Sequence, residues 1–355
     1  MNVMIDWVTC IIKCNHLDKI NSGHVVSVDK DGSIEWQKEK ILPVVGSYDS
    51  KLYIVTDYLG AYDSPTIKLS GNPVKFFQGH NIFGSCDLVG LVANLMDSIS
   101  KRKELGLIPT KTDRESWVSG DFMLTRVDVT TSYMLSSLAD VKAWLRAAEK
   151  HSYMKHRGRG LMQNGTLYFG KNSRRWSLKC YSKGDEIKAK GHELPLALQT
   201  EELESFADKL LRVEVVIRGM ELKRLGLHLA SEWLSTDIMG LHQSFIKNLN
   251  LSDNYMLTDI DLEQLPTRLK GVYALWEQGN DLRQIYSKSA FYRYRTALLK
   301  YGIDISTLSE KTDNVVPLIR VLEAKPASIP AWAYSKGFYF QPDRNKVLSH
   351  LRMVE

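Results

Sequence analysis

The sequence predicts an α+β fold, in which an antiparallel-sheet domain precedes a mainly α-helical domain. Short strand patterns with turn signals recur through the first part of the chain, whereas helical periodicity dominates after about residue 226. A length of 355 residues is sufficient for two domains with a buried core. We therefore predict a sheet domain at residues 4–226, a helical domain at 227–342 and a mobile tail at 343–355.

The strand predictions begin near the N-terminus, where β-branched and alternating segments are separated by turn residues such as Lys30-Asp-Gly. The predicted strands are Ile5 to Lys13, His24 to Val28, Ser33 to Gln37, Lys51 to Asp57, Thr66 to Leu69 and Val74 to Gln78. Short strands joined by turns in this way indicate antiparallel neighbours.

Helices and further strands alternate in the rest of the first domain. Apolar residues at helical spacing predict amphipathic helices from Cys86 to Arg102 and from Leu138 to His151. Later elements are a strand at Phe122 to Ser132, a basic hairpin at 166–183, a helix near Glu201 to Lys209, a strand at Leu210 to Arg218 and a helix near Glu221 to Leu225.

The segment Leu269 to Gly302 predicts a helix–turn–helix arrangement in the second domain. Gly279 ends one helix, and Ser289 caps a second, which runs from Ala290 to Tyr301 with Gly302 as its C-cap. The second helix is basic and rich in tyrosine, with Tyr292, Arg293 and Arg295 in its middle. It suits a DNA major groove, or it is a packing helix with solvated cations.

Composition excludes some classes of protein. The chain is 44% hydrophobic and 25% charged, and no apolar run reaches the roughly 18 residues of a membrane span. The N-terminus lacks the pattern of a secretory signal. The four cysteines are scattered without the spacing of a zinc site, which favours free thiols in a reducing cytoplasm.

Positive charge is concentrated in one block. Residues 150–190 contain eleven Lys or Arg and two acids, a net charge of +9, so the rest of the chain sums to −3 for the total of +6. Aromatic and His side chains lie between these cations, as in grooves that bind single-stranded nucleic acid. The block therefore indicates a polyanion site, the alternative being a solvated basic loop.

The hairpin at 166–183 contains the most informative residue, Tyr181. Side chains alternate between the two faces of a strand, so one face is polar and the other apolar. The polar face carries Ser177, Lys179, Tyr181 and Lys183. A phenol has a pKa of about 10 and attacks a phosphate only if nearby cations favour the phenolate. The hairpin thus predicts a tyrosine nucleophile, or merely a solvated basic surface.

Two other strands place a carboxylate among arginines. Asp128 shares a strand face with Arg126, and Glu214 shares one with Arg212. A mid-strand carboxylate is paired or binds metal. If the three strands adjoin with aligned polar faces, Asp128, Glu214 and Tyr181 converge, and hard oxygen ligands indicate Mg²⁺ or Mn²⁺. The alternative is a set of simple ion pairs.

His80 lies in a loop between glycines, Gly79 to Gly84, that leads into a helix. Such a histidine is a third metal ligand, a DNA contact or a local hydrogen-bonding residue, and we keep all of these interpretations.

Three stretches resemble the replication initiators of filamentous bacteriophages, the gene II protein family. The stretches are Val74 to Leu88; Arg126-Val-Asp, Tyr181-Ser-Lys and Arg212-Val-Glu, followed by Leu222 to Gly226; and Tyr301-Gly-Ile-Asp, Asn314 to Arg320 and Pro330-Ala-Trp. The hairpin and the later Arg-x-Glu are also similar to plasmid rolling-circle initiators of the Rep-trans type. The chain departs from the wider nickase superfamily in lacking an adjacent His-hydrophobic-His pair.

The resemblance implies a DNA-nicking endonuclease domain at 4–226 and a DNA-binding domain at 227–342. Tyr181 would join the 5′ end of the nicked plus strand and later rejoin the displaced strand, with Lys183 lowering the phenol pKa or holding a phosphate oxygen. Asp128 and Glu214 would hold the metal, with His80 a weaker candidate. The side chains expected to contact DNA are Arg126, Lys179, Arg174, Arg175, Arg212, Tyr292, Arg293 and Arg295.

The resemblance also implies partners. These are double-stranded origin DNA, the displaced single strand, a host DNA polymerase and a host helicase, in the cytoplasm of a bacterial host, with an oligomer on the origin and no membrane. The sequence lacks a phosphate-binding G-x-x-x-x-G-K-[ST] loop, which fits a separate helicase. A rival interpretation is a non-catalytic DNA-binding regulator, and a remoter one is a general single-strand binding protein.

Overall fold

The computed structural model describes residues 3–57, 64–251, 265–278, 280–301, 303, 305–306 and 318–349. The strands in these ranges are β1 Val3–Lys13, β2 His24–Val28, β3 Ile34–Glu39, β4 Leu42–Val45, β5 Lys51–Asp57, β6 Thr66–Gly71, β7 Met123–Met134, β8 Ser152–Met154, β9 Gly158–Arg159, β10 Leu161–Gln163, β11 Thr166–Phe169, β12 Trp176–Ser182, β13 Leu210–Arg218 and β14 Leu249–Leu251.

The helices in the same ranges are α1 Pro73–Gln78, α2 Leu88–Ser100, α3 Lys111–Ser119, α4 Leu138–His151, α5 Lys183–Glu186, α6 Glu201–Asp208, α7 Gly219–Arg224, α8 Ile238–Ile246, α9 Thr267–Glu277, α10 Leu282–Ile285, α11 Lys288–Leu299, α12 Leu318–Glu323, α13 Ala331–Ser335 and α14 Arg344–Ser349. None of these helices is both long and apolar enough to cross a bilayer.

A nine-stranded sheet in the order β10-β11-β12-β13-β7-β1-β6-β5-β4 organises the molecule. Each neighbouring pair in it is antiparallel. The α+β class with an antiparallel sheet and a helical C-terminal region is therefore confirmed. The edge strand β4 contains Pro43, which stands opposite Tyr53 of β5.

One face of the sheet is apolar and covered by helices. Val127, Val213 and Val215 of the central strands are fully buried in one core with residues of α2, α4 and α8. Alternation along β7 and β13 then turns Asp128 and Glu214 to the other face. This is the polar face.

A second apolar cluster lies over one end of the polar face, where Leu210 begins β13 on the same side as Glu214. We call this group the roof cluster, and it consists of Ile82, Phe83, Ile187, Leu194, Leu198, Leu203, Ala207, Leu210 and Ala333. Because the cluster excludes water there, polar side chains beneath it must find partners within the protein.

The chain from Ala327 to Phe340, here called the C-terminal strap, runs back to this same end. The amide of Ala327 donates to the carbonyl of Ser132 at 2.7 Å, and the amide of Phe340 donates to Oε1 of Gln78 at 2.9 Å. Phe340 also stacks on Phe77 at 4.0 Å between ring centroids.

The predicted strand at Val74 to Gln78 is wrong, because these residues form helix α1. Asn72 accepts from the amide of Lys75, Pro73 occupies the first turn, and Gly79 ends the helix at φ 77°. Strand β4 and helix α3 were not predicted; α3 begins with a capping box formed by Thr110 and Asp113.

Residues 227–342 do not form one helical unit. Phe245, Ile246 and Val321 pack in the core of the sheet, and the short strand β14 interrupts the predicted helices. A separate apolar cluster lies within residues 265–305, around α9, α10 and α11. Helix α11 is capped by Ser287 rather than Ser289. The predicted breaks at Gly279 and Gly302 lie outside the described residues.

The predicted mobile tail is also corrected. Helix α14 packs on α2 and α3 with Val347 buried, and Nδ2 of Asn94 donates to the carbonyl of Asp343 at 3.1 Å. Arg344 lies 3.6 Å from the carboxylate of Asp87. Residues 343–349 are therefore part of the packed structure, and 350–355 lie outside the described residues.

Candidate active site

The strand register brings the predicted site residues together. Tyr181 stands opposite Arg212, Lys179 opposite Glu214, and Asp128 opposite Val216. Directly opposed residues of an antiparallel pair lie on the same face. The three polar strand faces therefore align, as the sequence predicted.

Tyr181 is buried and hydrogen-bonded. Its hydroxyl donates to Oε2 of Glu214 at 3.1 Å, and only 8% of the residue is exposed. Burial and the Glu214 carboxylate raise the pKa of the Tyr181 phenol well above its usual value of 10. The surrounding cations thus do not favour the phenolate, and a proton acceptor is needed instead.

Glu214 and Asp128 carry unequal proton affinities. Burial would raise the pKa of Glu214, but its ion pair with Lys179 lowers that pKa to about 2. Burial outweighs the Arg126 hydrogen bonds at Asp128 and, together with the charge of Glu214, raises the pKa of Asp128 to about 7. Arg126 grips Asp128 through two bonds of 2.8 and 2.5 Å.

Asp6 is a third carboxylate of the site, and the sequence reasoning missed it. A bulge in β1 between Ile5 and Trp7 inserts Asp6, which accepts from the side-chain amides of Asn72 and Asn81 at 2.7 Å each. Burial and Glu214 raise the pKa of Asp6. The available signal was an acid within an otherwise apolar strand.

Lys183 is a buried scaffold residue and not part of the strand. Strand β12 ends at Ser182, and Lys183 begins α5. Its ammonium is fully buried, donates to Oδ1 of Asn81 at 2.7 Å and pairs with Glu186. Burial lowers the pKa of Lys183. These contacts contradict the prediction that Lys183 lowers the Tyr181 pKa or holds a DNA phosphate.

Arg212 is also enclosed. It is fully buried, and its guanidinium donates to the carbonyls of Asn81 at 2.7 Å and Ile82 at 2.5 Å. A further bond of 3.1 Å reaches Oγ of Ser132. This placement contradicts the prediction of a DNA contact, because the roof cluster separates Arg212 from solvent.

His80 acts as the local hydrogen-bonding residue. Its Nδ1 accepts from the amide of Ile82 at 3.2 Å, and its Nε2 donates to the carbonyl of Phe338 at 2.9 Å. Burial lowers the pKa of His80 to about 3, so the ring is neutral. Both ring nitrogens are engaged, which contradicts the prediction of a metal ligand at His80.

The carboxylates have the chemistry of a hard-cation site. Asp6, Asp128 and Glu214 share one buried region, and the pKa values of two of them are raised there by burial and by Glu214. Arg126 and Lys179 now occupy oxygens of Asp128 and Glu214. Across the described ranges, no three His, Cys, Asp or Glu side chains are already grouped as a metal-ligand set. Oxygen donors of this kind suit Mg²⁺ or Mn²⁺ once those cations move aside.

The remaining predicted DNA contacts lie nearer to solvent. Arg126, Arg175 and Lys179 expose 37%, 52% and 24% of their side chains. Arg174 is exposed in the turn before β12. On α11, Tyr292 and Arg293 are exposed and Arg295 is half-buried. The structure therefore leaves these positions accessible to a ligand.

Comparisons with known proteins agree with this arrangement. Residues 4–236 match the family model for the N-terminal region of the phage replication-associated protein encoded by gene II, and 263–339 match the model for its C-terminal region. The chain is 38% identical over 336 residues to the replication-associated protein of this kind from Enterobacteria phage I2-2, covering 92% of this chain and 96% of that protein.

A solved rolling circle replication initiator protein from Geobacillus stearothermophilus aligns with a TM-score of 0.32 and 13% identity, over 75% of this chain and 91% of that one. That likeness is too weak to carry an argument. The two family models and the phage relative are sufficient: the chain belongs to the gene II family of phage replication-associated proteins.

Proposed function

We propose that this protein initiates rolling-circle DNA replication by nicking one strand of a duplex origin through Tyr181. The observation that carries the proposal is the hydrogen bond from the Tyr181 phenol to Glu214, beside Asp128 and at the edge of an accessible cationic surface. The relation to a replication-associated phage protein supports it.

In the reaction, Oη of Tyr181 forms a bond to the scissile phosphorus as the bond to the 3′ oxygen breaks. The strand leaves with a 3′-hydroxyl, and the 5′ phosphate stays on tyrosine. Glu214 lies where it can accept the phenol proton. Because one phosphoester replaces another, the reverse attack by a 3′-hydroxyl rejoins the displaced strand without ATP.

A divalent ion would supply electrostatic stabilisation of the charge that develops on the phosphate oxygens. Asp128 and Glu214, with Asp6 beside them, would hold Mg²⁺ or Mn²⁺. Lys183 and Arg212 contribute by fixing the loop from Gly79 to Ser85 around Asp6.

The proposal includes the partners that the chemistry requires. They are duplex origin DNA, the displaced single strand, a host polymerase that extends the 3′-hydroxyl and a host helicase, in a bacterial cytoplasm, with an oligomer on the origin. A second candidate function, a non-catalytic regulator, is favoured by exposed Tyr292 and Arg293 on α11.

The test is cleavage of supercoiled plasmid carrying the intergenic region of the source element, with Mg²⁺ or Mn²⁺. Wild type should give nicked circles with protein on a 5′ end, and Tyr181→Phe should bind but not nick. Tyr168→Phe is the matched control, since Tyr168 lies on the neighbouring strand opposite Lys179. Binding without nicking by every variant would support the regulator.

A further inference from the structure

The open end of the polar face carries a group of guanidinium side chains. They belong to Arg126, Arg157, Arg175 and Arg218, and we call them the arginine cluster. Arg218 of β13 stands opposite Arg126 of β7, and the amide of Arg218 donates to the carbonyl of Arg175 at 2.8 Å. The cluster therefore crosses three adjacent segments of the chain.

Tryptophans hold two of these guanidiniums in place. Arg126 lies over the ring of Trp7 at 5.4 Å, and Arg157 lies over Trp176 at 4.5 Å. Trp7 is itself fixed, because its Nε1 donates to Thr9 and to Ser70 at 3.2 Å each. A stacked guanidinium is pre-organised to donate two parallel bonds to a phosphate.

Positive charge in the cluster exceeds its neutralisation. Among the described residues, the carboxylates in contact with it are Asp128, which pairs with Arg126, and Glu221, which lies 3.7 Å from Arg175 and is shared with Arg224. Burial and the charge of Arg126 lower the pKa of Arg218, which shows that these cations repel one another. A polyanion would relieve this repulsion.

The two ends of the polar face differ in access. From the row of Tyr181 and Arg212 to the row of Arg218 and Arg126 is six residues, roughly 20 Å along the strands. The cluster end is open, whereas Arg212 at the other end is fully buried beneath the roof cluster and the C-terminal strap. DNA can approach Tyr181 from the cluster end only.

We propose that the arginine cluster is a backbone-phosphate site that holds single-stranded DNA on one side only of the scissile phosphate. This inference rests on the proposed nicking function. A duplex, with a persistence length of about 150 base pairs, is too stiff to bend into the corner where Tyr181 lies, whereas a single strand follows it. The strand on the other side must turn away from the sheet.

The test measures affinity rather than cleavage, in the full-length Tyr181→Phe background, by fluorescence anisotropy. The probe is an oligonucleotide spanning the mapped nick, with neutral methylphosphonate linkages on either the 5′ or the 3′ side. We expect neutral linkages on one side to weaken binding roughly tenfold and those on the other side less than about twofold. In Arg157→Gln and Arg218→Gln the sensitive side should lose that sensitivity.

Arg114→Gln is the matched control, because Arg114 also lies over a tryptophan, Trp117, at 5.4 Å, but on helix α3 in the layer that covers the apolar face. Equal sensitivity on both sides, or cluster variants that behave like Arg114→Gln, would overturn the inference.

Failure of the nicking proposal is read separately. With an oligo-dT probe, which needs no nick site, each cluster variant should flatten the slope of log affinity against log salt by about 0.7. A flattened slope without any plasmid nicking refutes the nickase and keeps a phosphate site at the cluster. Normal nicking with an unchanged slope refutes the cluster alone.

Discussion

Single residues in this protein take their roles from burial more than from charge. Lys183 and Tyr181 are two positions apart, yet the ammonium of Lys183 bonds to Asn81 and Glu186, and the Tyr181 phenol bonds to Glu214. Alternation predicted that both face the same site, but it could not show that Lys183 is enclosed, because the enclosing residues are distant in the chain.

Replacing Lys183 tests this scaffold role. We expect Lys183→Met to lower the free energy of unfolding by about 3 kcal/mol, since it leaves a largely buried Glu186 and the Asn81 side chain without their cation. Lys188→Met is the control, because its ion pair with Asp208 is exposed and contributes less than about 1 kcal/mol. Urea unfolding measures both. Loss of DNA affinity at unchanged stability would instead make Lys183 a phosphate ligand.

His242 gives a prediction for pH. It is fully buried, its Nε2 donates to the carbonyl of Val213 at 3.1 Å, and burial lowers its pKa to about 4. The unfolded state, with a histidine pKa of about 6.5, binds the proton more readily, so stability is complete above pH 6.5 and is lost as pH falls toward 4.

The loss over that window should be about 3 kcal/mol from His242. Urea unfolding of wild type and His242→Gln at pH 7 and at pH 4.5 measures it. The variant should lose less stability than wild type between the two pH values. Parallel losses in both proteins would show that His242 is not the responsible group.

At the scale of elements, the loop that follows α1 positions the site. Gly79 ends the helix at φ 77°, and a β-carbon there would lie 2.6 Å from Leu198 and 2.7 Å from Tyr48. The loop then supplies Asn81 to Asp6 and to Lys183. A shift at Gly79 therefore reaches the carboxylates directly.

Two alanine substitutions separate crowding from backbone strain at this loop. Gly165 has nearly the same φ, 76°, but nothing lies within 4 Å of its would-be β-carbon. We expect Gly165→Ala to cost about 1 kcal/mol from the left-handed backbone alone and Gly79→Ala to cost at least about 2 kcal/mol more. Thermal unfolding monitored by circular dichroism is the measurement. Equal costs would show that the loop yields without strain.

Elements also show which sequence signals were sufficient. Asp128, Glu214 and Tyr181 converge as predicted, because alternation and mid-strand carboxylates fix the polar face. Asp6 was missed, since a bulge in β1 displaces the alternation. Helix α1 was mistaken for a strand although Asn72 and Pro73 are ordinary helix-start residues, so that error was avoidable.

For the whole molecule, the C-terminal strap joins the chain end to the site. His80 donates to the carbonyl of Phe338, and Trp332 packs edge-on against Phe83 and Phe206. These contacts span more than 100 residues of sequence, and no local pattern indicates them. This is why Arg212 and His80 were assigned surface or metal roles from the sequence.

Trp332→Ala should lower the free energy of unfolding by about 3 kcal/mol, because it opens the roof cluster. Tyr334→Ala, at a side chain 56% exposed on the same helix, should cost less than about 1 kcal/mol. Urea unfolding with plasmid nicking at the same temperature measures both effects. A Trp332→Ala protein of wild-type stability would show that the strap is not part of the cooperative fold.

Pro43 on the edge strand β4 has a consequence for solubility at high concentration. A proline has no amide hydrogen, so the outer side of this strand cannot template an additional strand at that position. The opposite edge, β10, is only three residues long. Large antiparallel sheets with long unprotected borders polymerise edge to edge, and this protein interrupts one border chemically and shortens the other.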